Sequence, residues 1–142
     1  MQNHYNLVYR EEEREMIPYC RQTGVALTPY SPLAAGRLTR DWNADTERSK
    51  TDAVAKSKYD ATEQQDRAIV EQVAQVANDL GVARSSVALA WLWAKGVTAP
   101  IIGATKESHL TSALEAVSVT LTADQIAALE APYLPHAIMG HS

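Results

Sequence analysis

The stretch TPYSPLAAGRLTR, residues 28–40, follows a short apolar run and leads into a long polar segment. Pro29 and Pro32 each fix φ, lack an N–H donor and push the preceding residue towards extended geometry, so no helix passes through Tyr30. Val25 to Thr28 is too short for a helix and is bounded by a glycine and a proline, which predicts a strand buried on both faces. The chain is expected to leave that strand through a turn.

Helices are predicted on either side of this stretch from capping patterns, apolar spacing and glycine stops. Glu11 to Glu13 suit the first turn of a helix that ends at Gly24, and Pro18 makes that helix bend or start late. Apolar residues at helical spacing predict a second helix that ends at Gly81. Capping residues at the start and glycine or proline at the end bound the helices that follow it. The predicted boundaries are TEQQ at 62–65 to Gly81, Ser85 or Ser86 to Lys95 and Gly96, Lys106 to about Val117 with Thr105 as cap, and TADQ at 122–125 to the residue before Pro132.

Short apolar strands alternate with these helices, at residues 2–6, 25–28 and 99–102. That order is typical of parallel strands joined by right-handed crossovers and predicts an α/β fold. Residues 41–61 are polar, mixed in charge and weakly periodic, and are predicted to form a mobile flap. Functional sites of α/β folds lie at the carboxyl ends of the strands, where the turns at 29–36 and 103–106 both fall, so these turns are expected to share one site.

Composition limits the classes of function. The 142 residues include 13 Lys and Arg against 17 Asp and Glu, giving a net charge of −4, which argues against nucleic-acid or anionic-membrane partners. The longest apolar run, Val87 to Ala94, is far shorter than the roughly 20 residues of a membrane span. No signal peptide is recognisable at the start, and one cysteine, Cys20, suits a reducing compartment, so a cytoplasmic location is expected.

Four stretches together resemble the C-terminal part of an aldo-keto reductase, with the bacterial YajO-like branch as the nearest match. They are QNHYNLVYREEEREMIPYC at 2–20, YSPLAAGRLTRDW at 30–42, PIIGATKESHL at 100–110 and APYLPH at 131–136. The resemblance implies an NADP(H)-dependent (β/α)8 barrel, a fold of usually about 250 residues. Residues 1–142 would form one partial barrel domain, with about the last three β/α units and the C-terminal tail.

The resemblance also implies where the cofactor binds. In the family the nicotinamide ring lies on the aromatic residue that begins the YSPL-like motif, here Tyr30, and a glutamine matching Gln2 holds its carboxamide. The residue chemistry agrees, because an aromatic ring held between prolines loses little entropy when another ring stacks on it. A plain strand-ending turn is the alternative at this motif. The residues expected around the pyrophosphate are Ser31, Pro32, Leu33, Gly36 and Leu38, with Arg40 adding charge.

The segment Gly103, Ala104, Thr105 and Lys106 matches the part of the family that holds the adenosine 2′-phosphate. A strand end that feeds a helix N-terminus offers N–H groups and a positive dipole to an anion, and Lys106 adds a full charge. NADP(H) is therefore expected over NAD(H). Many relatives carry arginine where His109 stands, so a weaker clamp is expected here. The alternative is a solvated lysine and a surface histidine.

No catalytic or metal-binding residue is predicted in this chain. The family reduces aldehydes and ketones to alcohols with an Asp, Tyr, Lys and His set from earlier strands, and no motif for that set is present in these residues. His4, His136 and His141 lack the spacing of a metal site and are expected to be structural or surface residues. We therefore expect the isolated chain to be inactive, and the open strand edges of a partial barrel to promote self-association.

Two further readings are left open by the sequence. One is a non-catalytic module that binds a nicotinamide cofactor or a partner protein. The other is a remnant of a truncated reading frame without a function of its own. In the reductase reading, the partner is a small carbonyl substrate of the full-length parent.

Overall fold

The computed structural model describes residues 1–40 and 53–139. Three stretches of extended backbone in this part of the chain lie side by side, and the second is in the middle. We call them the first, middle and last segments, at residues 1–6, 25–30 and 97–102. Their parallel arrangement is the one predicted for the strands.

The segments are joined by isolated parallel bridges. Tyr30 is bridged to His4 on one side and to Ile101 on the other. The N–H of Tyr30 donates to Asn3 at 2.9 Å, and the N–H of Ile101 donates to Pro29 at 2.9 Å. Proline has no N–H to donate between neighbouring segments, so the run of hydrogen bonds along the middle segment is interrupted at Pro29.

Helices connect and cover the segments. Their bounds are α1 Met16–Thr23, α2 Ala53–Tyr59, α3 Glu63–Leu80, α4 Arg84–Ala94, α5 Glu107–Ala116 and α6 Ala123–Glu130. Short 3₁₀ turns lie at Glu11–Glu13, Ala34–Gly36 and Asp60–Thr62. In the described residues, no helix combines the length and the apolar character that crossing a membrane would need.

Glycine stops and one capping box are found where the sequence predicted them. Gly24 and Gly81 end α1 and α3 with left-handed φ values of 70° and 66°. Thr122 and Gln125 form the complete capping box at the start of α6. Pro18 is the third residue of α1, so the helix starts late, and the three glutamates form a separate 3₁₀ turn before it rather than its first turn.

Three predicted N-caps are wrong. The Thr62 hydroxyl does not cap α3 but donates to the Asp66 carboxylate at 2.6 Å. α4 begins after Ala83, so neither Ser85 nor Ser86 is its cap. α5 begins after Lys106, without a side-chain cap from the predicted threonine.

The core lies between the segments and the helices, and α4 is its most buried helix. Val87 to Leu92 are all buried, and the Trp91 indole N–H donates to Glu130 at 2.9 Å. The opposite side of the segments is open. Ile101 of the last segment is 43% exposed. In the middle segment Val25 is 42% exposed and Ala26 is also exposed, so the prediction that residues 25–28 are buried on both faces is wrong. In a closed barrel, side chains on this side are covered by the other strands, and the described residues supply no such cover.

The flap predicted at 41–61 is only partly within the described residues, because residues 41–52 lie outside them. Residues 53–59 form α2, so a helix is present where a polar loop was predicted. Tyr59 at the end of α2 is 1% exposed, and its burial anchors the helix on the core. The tail at 131–139 is irregular, as predicted.

Candidate functional site

A cleft of about 630 Å³ lies at the carboxyl ends of the middle and last segments. This volume is typical of small-molecule and cofactor sites, which span about 300–1,000 Å³. The residues around it come from the loop after the middle segment, from the turn after the last segment, and from α4 and α5. They are Ser31, Pro32, Leu33, Ala35, Gly36, Thr39, Arg40, Ser85, Leu89, Ile101, Ile102, Gly103, Thr105, Lys106, His109, Ser112 and Ala113.

Most of the residues predicted for the cofactor meet at this cleft. Those that line it are Ser31, Pro32, Leu33, Gly36, Arg40, Gly103, Thr105, Lys106 and His109. Four others do not line it. Leu38 is fully buried in the core, Ala104 and Gln2 are exposed, and Tyr30 is half-buried at the end of the middle segment. The two turns thus share one site, as the position of the strand ends indicated.

The loop after the middle segment has an unusual backbone. Ser31, Ala34 and Ala35 have left-handed φ values of 56°, 49° and 54°, followed by Gly36 at 91°. Left-handed backbone costs a non-glycine residue about 1–2 kcal/mol, so this shape is held by its surroundings. Internal hydrogen bonds contribute, with the N–H of Ala34 donating to Ser31 at 3.0 Å and the N–H of Gly36 donating to Leu33 at 2.9 Å. The backbone therefore turns tightly around one side of the cleft.

Tyr30 is held in a stack of aromatic rings. Its ring is 5.1 Å from that of His4 at an interplanar angle of 14°, and His4 in turn stacks on Tyr9 at 4.3 Å. The Lys58 ammonium lies over the Tyr30 ring, 4.8 Å from its centroid. Burial, and then the charge of Lys58, lower the pKa of His4 to about 4, so this imidazole is neutral near pH 7.

The other side of the cleft is the start of α5. Lys106 is the N-cap residue of this helix, and His109 is in its first turn. Both side chains line the cleft, and Arg40 lines it from the loop after the middle segment. Among the described residues around the cleft there is no aspartate or glutamate. Glu107 is in the first turn of α5 but does not line the cleft, whereas two cations and the start of this helix do, which suits an anion such as a phosphate.

Sequence reasoning missed several lining residues. Ser85 and Leu89 reach the cleft from α4, and Ser112 and Ala113 reach it from α5. The sequence offers Ser85 or Ser86 as a helix cap and Leu89 as apolar helix surface, and Ser112 and Ala113 fall within the helix predicted from Lys106 to about Val117. Residues 85 and 89, and 109 and 113, are each four apart and share a helix face, which is the signal that could have found them once the cleft was known.

His4 and His136 have structural partners, as predicted, and His141 lies outside the described residues. His136 Nε2 is 2.7 Å from Asp66 Oδ1, and both side chains are almost fully buried. Burial lowers the pKa of His136, but the hydrogen bond and charge of Asp66 outweigh it and the net shift is upward. The N–H of His136 donates to Glu11 at 2.8 Å. This cluster fastens the tail to α3.

Among the described residues there is no group of three or more side chains suited to a metal ion.

Comparisons with known proteins give consistent matches. A family model described as the aldo/keto reductase family matches residues 1–133. The chain is 43% identical to the versiconal hemiacetal acetate reductase of Aspergillus parasiticus over 97% of its own length. It is 44% identical to an aldo-keto reductase of Metarhizium robertsii over 100% of its own length. It spans only 41% and 38% of the lengths of these two relatives.

Two solved structures resemble the chain. The glycerol dehydrogenase of Gluconobacter oxydans matches with a TM-score of 0.78 at 18% identity, covering 99% of this chain and 45% of that one. A thermostable aldo-keto reductase in complex with the inhibitor epalrestat matches with a TM-score of 0.64 at 24% identity, covering 92% of this chain and 38% of that one. At these identities the likeness concerns the fold. It confirms the predicted fold class, the C-terminal part of a (β/α)8 barrel.

Proposed function

Because the chain belongs to the aldo/keto reductase family, we propose that it provides the dinucleotide-binding part of an NADP(H)-dependent oxidoreductase acting on aldehydes or ketones. One observation carries the proposal. Residues from two separated turns, Ser31 to Arg40 and Gly103 to His109, line one cleft that has two cationic side chains and, among the described residues, no carboxylate. The cationic side chains that line the cleft favour a ligand rich in phosphate, although the net charge of the chain is −4.

Each end of the dinucleotide has proposed partners. Lys106 and the N-terminus of α5 hold the adenosine 2′-phosphate, and His109 assists from the same helix turn. Arg40 and the left-handed loop, with its small residues, let the pyrophosphate approach the backbone. Tyr30 receives the nicotinamide ring and Gln2 its carboxamide. Since Lys58 lies over the Tyr30 ring, a ring that stacks there displaces the Lys58 ammonium.

The reaction itself is proposed for the parent protein. A bound NADPH supplies the hydride that reduces the carbonyl, and the residues that donate the proton come from the part of the family's barrel that this chain does not match. The substrate is a small carbonyl compound, and the compartment is the cytoplasm. The 142-residue chain alone is proposed to bind cofactor without turnover and to self-associate through its open strand edges. Its assignment to the bacterial YajO-like branch stays a prediction, since the two curated relatives named above are fungal.

The test is a fluorescence titration of the purified chain with NADPH and with NADH. We expect saturable binding that is tighter for NADPH, and no consumption of NADPH when an aldehyde is added. Lys106→Ala should weaken NADPH binding at least about tenfold and NADH binding much less, since a lost charged hydrogen bond costs about 1.5–3 kcal/mol.

A matched control is Arg67→Ala, which removes an equal charge from an exposed residue of α3 that does not line the cleft. This variant should bind NADPH like the parent chain. Absence of saturable binding would favour the remnant reading, and equal effects of the two variants would contradict the proposed phosphate site.

A further inference from the structure

The hydroxyl of Tyr59 is surrounded by polar groups from two other parts of the chain. It lies 2.7 Å from His4 Nε2, 3.0 Å from Ser31 Oγ and 3.3 Å from Asn6 Nδ2. A tyrosine hydroxyl has one proton and two lone pairs, so three partners saturate it. The Asn6 amide donates to it, and of His4 and Ser31 one accepts its proton and the other donates. The hydroxyl therefore joins α2 to the first segment and to the loop after the middle segment.

Ser31, the first left-handed residue of that loop, is held twice by this group. Its hydroxyl contacts Tyr59, and its carbonyl accepts a hydrogen bond of 2.9 Å from Asn6 Nδ2. The same asparagine also donates to Tyr59. Side chain and backbone of Ser31 are thus fixed by one connected set of hydrogen bonds, which is partly buried.

The far end of the loop, at Arg37, is attached to Tyr59 and to the residue that follows it. The Arg37 guanidinium forms an ion pair with Asp60, the residue after Tyr59, and lies 5.7 Å from the centroid of the Tyr59 ring. Between the two attachments are Ala34 and Ala35, both left-handed. Non-glycine residues keep such backbone only where the surrounding structure over-determines it.

We propose that Tyr59 is a positioning residue for the cofactor-binding loop, holding residues 31–38 in the shape that lines the cleft. This role rests on the proposed function, since it concerns the loop assigned there to the pyrophosphate. Tyr59 itself is buried and does not line the cleft, so it acts through Ser31 rather than on the cofactor. Its position within the polar segment 41–61 gave no sequence signal for this role.

The test compares Tyr59→Phe with Tyr5→Phe in the full 142-residue chain. Tyr5 is equally buried, and its hydroxyl donates to Glu13 at 2.6 Å, away from the cleft. Both variants lose one buried hydroxyl and are expected to unfold at lower urea concentration. Only Tyr59→Phe should raise the dissociation constant for NADPH, by about fivefold to tenfold, while Tyr5→Phe stays within about twofold of the parent.

Hydrogen exchange provides a readout that does not depend on the cofactor. The amides of Ala34, Gly36, Arg37 and Thr39 are hydrogen-bonded within the loop. In Tyr59→Phe they should exchange at least about fivefold faster, while the same amides in Tyr5→Phe keep the parent rate. If the parent chain does not bind NADPH but these amides respond as expected, the proposed function fails and the positioning role stands.

Unchanged exchange of these amides in a folded Tyr59→Phe chain would overturn the positioning role, whatever the NADPH titration shows. If Tyr59→Phe does not fold, Ser31→Ala replaces it, since it removes the same hydrogen bond from the loop side. The exchange of the loop amides then decides in the same way.

Discussion

Protonation of His4 should destabilise the chain at mildly acidic pH. The side chain is 6% exposed and neutral in the folded state, with a pKa of about 4 against an ordinary 6.5. Below pH 6.5 the unfolded chain takes up a proton at this position and the folded chain does not. The free energy of unfolding therefore falls as the pH drops from about 6.5 to about 4, and this contribution levels off below that range.

The size of the effect follows from the shift. The lowering of the pKa from 6.5 to about 4 corresponds to about 3 kcal/mol, of which about 1.5 kcal/mol is lost between pH 6.5 and 5. The comparison is with His4→Gln, whose amide can still hydrogen-bond to Tyr59 but does not titrate. Urea unfolding followed by tryptophan fluorescence, at pH values from 7.5 to 4.5, gives the free energy of unfolding of both chains.

The difference between the two chains isolates His4, because the carboxylates that titrate in the same range are common to both. We expect the parent to lose about 1.5 kcal/mol more than His4→Gln between pH 6.5 and 5. Parallel curves for the parent and His4→Gln would refute the reasoning, since they would mean that His4 protonates equally in the folded and unfolded chains.

Three further outcomes are expected. Asp66→Asn should lower the free energy of unfolding by about 3 kcal/mol at pH 6, because it leaves a buried histidine without its charged partner. Since the pKa of His136 is raised, the pair stabilises the fold below about pH 6.5 and loses its effect as the pH rises, so urea unfolding at pH 9 should show a smaller loss. Thr122→Ala removes the side-chain cap of α6 and should lower the free energy of unfolding by about 1 kcal/mol in the same assay. Thr62→Ala removes no helix cap, because the Thr62 side chain does not cap α3. His109→Arg adds a permanent charge beside Lys106 and should tighten NADPH binding severalfold with little change for NADH, as measured by fluorescence titration.

The helix ends show which parts of the fold were readable from sequence. Glycine at a helix end is a local signal, because the left-handed conformation costs this residue little, and Gly24 and Gly81 end their helices as predicted. The two capping patterns differ although their sequences are alike. Thr122 caps its helix, whereas the Thr62 hydroxyl donates to Asp66. The Asp66 carboxylate also pairs with His136 in the tail, 70 positions further along the chain. No local sequence pattern reveals this contact.

The candidate site also has features that were predictable from the sequence and features that were not. The turn after Pro29 was predictable because proline restricts the backbone, and the meeting of two turns followed from the parallel order of the segments. The contacts of α2 were not predictable, because nothing in a polar and weakly periodic stretch indicates that Tyr59 is buried or that Lys58 lies over Tyr30. Leu38 was matched to the family's cofactor loop, but its apolar side chain faces the core.

The distribution of charge bears on the anion site that is proposed for this acidic chain. Acidic side chains on the side of α1 and α6 are paired, since Glu13 and Glu130 share the cations Arg10 and Lys95. Partial neutralisation there reduces the negative field that would otherwise extend across the molecule. The described residues that line the cleft include Arg40 and Lys106 and no aspartate or glutamate. Because screening by salt limits the reach of exposed charges to about 8–10 Å, the local charges at the cleft, rather than the net charge of −4, determine which ligand it attracts.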